Sequence, residues 1–415
     1  MSAIAQLEAW VPRSLLQLRH GSAIPAATAE GLTPVRLSWS DGHLEEPELL
    51  NSPADHLNAL VLPRLVDPHV HLDKAFTWSA HPNFSGTYEG ALEANLKEHQ
   101  VRDLEAVLCR GEKAITRACQ NGLRALRSHI DSLGPGADAS WEALQTLKKQ
   151  WRHQLELQLV ALVPIAHWAT PAGAQLAQRV AAGGGLLGGV LVPPCRGGSV
   201  RRDLRALLRL AEELGCGIDL HIDEANHGPA EGLLQLLRAL EQVPCTQPIT
   251  CSHASSLALL SPKRLQRLAE QMAAHRLQVV ALPLTNGWLL GQSPEATPLR
   301  RPLAPIRQLQ RAGIQVAVGG DNVADPWFPA GDFDPLALMA SCIPLAQLAP
   351  WQRLGLSPFT TAAAAVMGLD WDGRIGADAP ADLIVLEANS WSEALRRPSE
   401  RRVLIEGRWW QPGRR

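Results

Sequence analysis

The chain lacks most of what would mark a secreted, membrane-bound or nucleic-acid-binding protein. No apolar run reaches the roughly 18 residues needed to cross a bilayer. The opening residues, Met1-Ser2-Ala3-Ile4-Ala5-Gln6-Leu7-Glu8, show no basic segment followed by an apolar one, so no secretory leader is expected. Cysteine is sparse: seven residues, scattered at 109, 119, 195, 216, 245, 251 and 342, and never spaced Cys-x-x-Cys. An odd, dispersed set argues against a disulfide framework and against a zinc–thiolate knuckle. An excess of charge of either sign is also missing, with Lys+Arg 39 against Asp+Glu 41 and a formal charge of −2. Nothing there attracts a phosphate backbone or an acidic lipid surface. The expectation is a soluble, cytoplasmic protein with neither nucleic acid nor membrane as partner. No fixed-period repeat and no low-complexity tract stands out, and the only tyrosine is Tyr88.

What is present is apolar bulk: 415 residues, 46% of them hydrophobic, enough for a large core. From about residue 58 to 320, short apolar runs alternate with longer amphipathic stretches, the pattern of βαβ units and a parallel sheet. Eight runs can be placed, at 59–66, 123–128, 157–163, 187–192, 217–220, 248–251, 278–282 and 314–318. Helix-like segments at 103–119, 200–214, 230–242 and 262–275 repeat leucine and alanine every three or four residues. This predicts an α/β chain built as a (β/α)8 TIM barrel. Segment 87–120 is longer than an ordinary crossover and is a candidate cover for the barrel mouth. Strand-like alternation near both ends, with turn signals Asp41-Gly42 and Glu406-Gly407, assigns residues 1–58 and 370–415 to one small β-rich domain, leaving 59–369 as the barrel.

Active sites of such barrels lie at the C-terminal ends of the strands. Those ends read Asp67-Pro68-His69-Val70-His71-Leu72-Asp73-Lys74, His129-Ile130-Asp131, His221-Ile222-Asp223-Glu224, Ser252-His253 and Gly320-Asp321-Asn322. His-x-His on an extended segment puts both imidazoles on one face, so His69 and His71 can share an ion. His221 and Asp321 would complete a nitrogen-rich site with one position left for water, as catalytic Zn or Fe(II) requires. Such an ion would activate the water as hydroxide near neutral pH. Glu224 is placed to pass a proton to a leaving nitrogen, and His253 to orient the hydroxide. Strand four ends in Val192-Pro193-Pro194-Cys195, without a bridging lysine or carboxylate, so one divalent ion per chain is expected. A single histidine after a strand is usually structural; five strand ends carrying the expected residues in order are not.

Those stretches, with Leu62-Pro63-Arg64-Leu65-Val66 before the first histidine and Val323-Ala324-Asp325-Pro326-Trp327 after the late Asp, resemble the amidohydrolase superfamily. Within it the pattern is similar to the cytosine deaminase and N-isopropylammelide amidohydrolase group over nearly the whole chain. The resemblance implies His69, His71, His221 and Asp321 as metal ligands, Glu224 as proton shuttle, and His253 and Asp321 beside it in the catalytic set. It also implies deamination of a cytosine-like pyrimidine or related nitrogen heterocycle. Two positions depart from cytosine deaminases. Their Gln after strand three is replaced in Val163-Pro164-Ile165-Ala166-His167-Trp168, and their second Asp is Asn322. A carboxamide and a carboxylate offer different hydrogen-bond edges, and Asp-Asn resembles the triazine branch. Candidate substrate contacts are Asn322, Trp327, His129, Ile165 and Lys74, with Trp168 and Trp288 as further rings for stacking. The other readings are a cyclic amidase, an N-alkylamine-releasing aminohydrolase on a triazine-like ring, and a metal-free barrel used for binding or assembly. A homo-oligomer is a further expectation, because oligomers are common in the resembled group.

Overall fold

The computed structural model describes residues 5–19, 26–50, 57–293, 295–396 and 400–413. The remaining positions of the two terminal segments assigned to the β-rich domain lie outside the described residues. Two compact units are formed, one from Asp67–Ala114 with Leu126–Asp332, the other from Met1–Val66, Ile115–Ala125 and Phe333–Arg415.

Eight strands follow one another in chain order around a nearly closed sheet: β1 (Leu65–Val70), β2 (Leu123–Asp131), β3 (Glu156–Leu162), β4 (Leu186–Leu191), β5 (Ile218–Ile222), β6 (Ile249–His253), β7 (Gln278–Ala281) and β8 (Val316–Val318). Pairings between β4 and β8 are all parallel. A bridge from Val70 to Asp321 brings the last strand back to the first, with the Asp321 amide donating to the His69 carbonyl at 2.9 Å. This is the α/β barrel expected from the alternation of runs. The strands read as continuous apolar runs because helices cover their outer faces and side chains fill the interior; every residue of β1, β5 and β6 is buried. The helices show the complementary pattern. Gly198–Leu214 buries Leu204, Leu207, Leu208 and Ala211 along one stripe and stops at Gly215, whose left-handed backbone favours glycine.

The second sheet is separate and β-rich. Ala5–Pro12 pairs antiparallel with Leu32–Ser40, while Leu60–Pro63 pairs antiparallel with Leu383–Leu386, which in turn pairs with Arg401–Ile405. Alternation sends Val35, Leu37 and Trp39 to one face, against Val11, Val61, Leu383 and Leu404. Asp41-Gly42 and Glu406-Gly407 both have positive φ at each position, the backbone of a tight hairpin turn.

One expectation is corrected. The run 59–66 is not a single barrel strand; it divides at Arg64. The Arg64 amide donates to the Asp382 carbonyl at 3.0 Å, and the next amide, Leu65, donates to Gly122 at 2.9 Å. Consecutive amides therefore join different sheets. The first barrel strand starts later than expected, and His69 lies inside it rather than after it. Among the described residues, no helix is long and apolar enough to cross a membrane.

Candidate active site

The strand ends bring His69, His71, His221, His253 and Asp321 together. The Nε2 atoms of His71 and His221 are 3.3 Å apart. Asp321 Oδ1 lies 3.3 Å from His71 Nε2 and 3.6 Å from His69 Nε2. Among the described residues, His69 Nε2 and both Asp321 oxygens are buried with no hydrogen-bond partner. Burial, then the neighbouring imidazoles, hold His69 and His221 well below the ordinary histidine range, so their nitrogens are lone-pair donors at neutral pH. Lone pairs turned into the same buried cluster suit a shared cation. Tetrahedral coordination at about 2.0 to 2.1 Å gives ligand-to-ligand edges of about 3.3 to 3.4 Å, close to the spacings here. The residues fit a divalent ion, and His69, His71 and His221 are one of three groups among the described residues that could hold one.

Backbone geometry fixes the cluster. Asp67 on β1 accepts from the amides of His69 at 3.2 Å and Gly320 at 3.0 Å. Asp223, His253 and Asp321 all adopt left-handed φ, which turns the chain sharply just past the strands. Asp223 then accepts from Gly232 and Leu233 at 2.8 and 2.9 Å, tying the loop after β5 to the next helix.

Glu224 is buried beside this cluster. Burial, with the Asp321 charge second, pushes its carboxyl well above the usual value. Asn286, on the helix Pro283–Leu290 after β7, was not anticipated. Its amide Nδ2 donates to Glu224 Oε1 at 3.3 Å and to His253 Nδ1 at 3.0 Å. An amide nitrogen only donates, so His253 Nδ1 accepts and its proton sits on Nε2. Burial lowers the His253 imidazole to about 4, which keeps it neutral.

These groups open onto a cavity of about 540 Å³. His71, His221, Glu224, His253, Asp321, Lys74, Asn322 and Trp327 line it. Lys74 is buried and its Nζ donates to Asp131 Oδ1 at 2.7 Å. Asn322 Nδ2 donates to Asp325 at 2.8 Å. Trp327 meets Tyr88 edge-on, with centroids 5.0 Å apart. Tyr88 starts α1 (Tyr88–Val101), which begins the candidate cover segment; Tyr88, Leu92, Asn95, Leu96 and His99 recur at helical spacing along the cavity wall.

Two candidate contacts lie away from the cavity lining. Ile165 lies in the short helix Ile165–Ala169, and its neighbours Val163 and Pro164 reach the cavity instead. Its Cδ1 sits 3.1 Å from where a Cβ at Gly189 would be, because the glycine-bearing β4 leaves room for it on the barrel wall. His129 is fully buried, stacked on His69 with centroids 3.8 Å apart, behind the cavity rather than in it. Trp168 donates to the Gly188 carbonyl within the wall, and neither it nor Trp288 lines the cavity.

A model of the amidohydrolase family matches residues 139–409, well over half of the chain. The chain belongs to the amidohydrolase family. This amidohydrolase is therefore an enzyme acting on carbon–nitrogen bonds, and its relatives bear out the resemblance carried by the strand-end motifs. It is 31% identical to a pterin deaminase from Rhizobium rhizogenes (strain K84) over 95% of this chain and 93% of that protein. It is 25% identical to N-isopropylammelide isopropyl amidohydrolase from Pseudomonas sp. (strain ADP), over 84% of each. A solved structure of 5-methylcytosine deaminase from Klebsiella pneumoniae superposes with a TM-score of 0.80 at 22% identity, over 97% of both chains. That last likeness is one of fold.

Proposed function

We propose that this amidohydrolase is a metal-dependent hydrolytic deaminase that removes an exocyclic amine from a flat nitrogen heterocycle, with a fused pyrimidine of the pterin kind favoured over cytosine. The convergence of His69, His71, His221 and Asp321 next to Glu224 and His253 carries the reading. Pterin is favoured by the 31% identical relative and by a cavity of about 540 Å³, roomier than one six-membered ring needs.

His69, His71, His221 and Asp321 would hold a single Zn or Fe(II), which supplies the Lewis acidity that makes water nucleophilic near neutral pH. Glu224 takes the proton that water gives up as its oxygen adds to the amine-bearing ring carbon. The raised affinity of Glu224 for protons lets it keep that proton until the exocyclic nitrogen receives it and leaves as ammonia. His253 presents Nε2–H to the adding oxygen as a neutral donor. The Asn286 amide holds both partners in register. Lys74 and Asn322 offer donors for ring oxygens and nitrogens, and Trp327 a face or edge for the ring.

Metal-replete protein is expected to release ammonia from pterin, to stop after chelation and to recover with Zn or Fe(II). The comparison panel is cytosine, 5-methylcytosine and ammelide-type triazines. Release of an alkylamine from a triazine would identify the N-alkylamine reading instead, and acid formation without ammonia the cyclic amidase. Silence across the panel with metal bound would refute the proposal. Asn286→Ala removes two donated bonds, one of them to the acidic group. A loss of about 1 to 3 kcal/mol corresponds to roughly a 5- to 150-fold lower kcat, with KM little changed. An equal rise in KM would instead place Asn286 in substrate binding.

A further inference from the structure

One of the proposed ligands has its far nitrogen tied into the barrel core. Asp219 on β5 and Ser252 on β6 are fully buried on neighbouring strands. Arg127 on β2 donates from Nη1 to Asp219 Oδ2 at 2.8 Å. Ser252 Oγ donates to Asp219 Oδ1 at 2.7 Å and lies 2.9 Å from His69 Nδ1. The proton directions are forced. A carboxylate paired with a guanidinium only accepts, so the serine proton points at Asp219. The serine oxygen must then accept from His69, which places the His69 proton on Nδ1. Nε2 is left with its lone pair toward His71, His221 and Asp321. Among the described residues, Nδ1 of His71 and Nδ1 of His221 have no such hydrogen-bond partner. The His129 ring, stacked on His69 with its Nε2 3.3 Å from Asp219, braces the same imidazole from its face.

We propose that Arg127, Asp219 and Ser252 form a positioning relay that locks His69 as an Nε2 ligand and sets how tightly the protein holds its metal. The proposal rests on His69 being a ligand, as the reading above has it. A carboxylate behind a metal-bound imidazole fixes its tautomer and raises its basicity, and losing such a support weakens metal binding by about 10- to 100-fold. Here a hydroxyl carries that influence across one extra link.

Full-length protein stripped of metal would be titrated with Zn2+ against a chromophoric chelator. Ser252→Ala is expected to bind Zn2+ about 10- to 100-fold more weakly, with the metal-free protein still folding cooperatively at a thermal midpoint lowered by a few degrees. Ser252→Thr, which keeps the hydroxyl, should restore affinity. Wild-type affinity in Ser252→Ala overturns the relay. A wild-type chain that takes up no Zn2+ overturns the ligand assignment beneath it. If Ser252→Ala does not fold, Co2+-loaded wild type with 15N-labelled histidine gives the answer. An exchangeable Nδ1–H resonance assigned to His69 supports the relay, and a His69 bound through Nδ1 refutes it.

Discussion

Glu224→Gln is expected to abolish most turnover, lowering kcat by about 10²- to 10⁴-fold, the range for removing a positioned acid–base group, while the metal content stays at the wild-type level. Glutamine keeps the volume and can still accept from the Asn286 amide, so the bond at 3.3 Å and the packing survive. What disappears is the capacity to take and return a proton. Glu224 is not one of the four proposed ligands, so metal retention separates its role from theirs. Ammonia release and elemental analysis on the same preparation test both halves. Activity within tenfold of wild type would remove Glu224 from the proton path. Loss of metal along with activity would make it a support for the ion.

A second large effect lies under the cavity floor. Arg102, with a fully buried side chain, pairs with Asp73 at 2.9 Å, with Glu98 on α1, and with Asp131 at 3.3 Å. Its replacement by methionine leaves three carboxylates to find other partners, and they fare differently. Glu98 keeps Arg110 at 2.8 Å, and Asp131 keeps Lys74 at 2.7 Å. Asp73 keeps the Asp131 amide at 2.9 Å, and its second oxygen is buried without a partner. The cost is therefore dominated by Asp73, which loses its direct ion pair and keeps only the nearby Lys74 charge, and Arg102→Met should destabilise the fold by about 3 to 5 kcal/mol, as breaking a buried pair does. Denaturant unfolding of the metal-loaded protein measures it. Adding Asp73→Asn to that background should recover part of the loss, a coupling that a double-mutant cycle isolates. A change below about 1 kcal/mol would show the network to be no stronger than a surface ion pair.

The barrel was legible because apolar runs and amphipathic stretches alternate with no competing pattern, and the proposed ligands because imidazoles and a carboxylate fall at strand ends where few residue types would do. The division at Arg64 was not, since an apolar run carries no mark of which sheet each amide joins. Asn286 was missed for a different reason. It lies one turn into a helix after β7, whose end bears no histidine or acid, and its role depends on reaching sideways to Glu224 and His253. No motif singled out Asp219 or Arg127; a charged residue within an apolar run was the available signal. Ile165 and His129 fall outside the cavity lining through side-chain direction. Sequence places a residue near a strand end, but the local backbone decides whether it points to the cavity or the wall.

The seam between β1 and β8 has a consequence for the order in which the molecule can be made. Asp67 and Gly320, joined across it, are 253 positions apart in the chain, and the bond between His69 and Asp321 spans a similar distance. Such contacts bear the greatest loop-closure cost and come late in folding. A chain still emerging from its ribosome would carry both histidines of His69-Val70-His71 long before Asp321 exists. The proposed site is thus complete only once the ring closes, and a nascent or truncated barrel holds part of the proposed ligand set without Asp321.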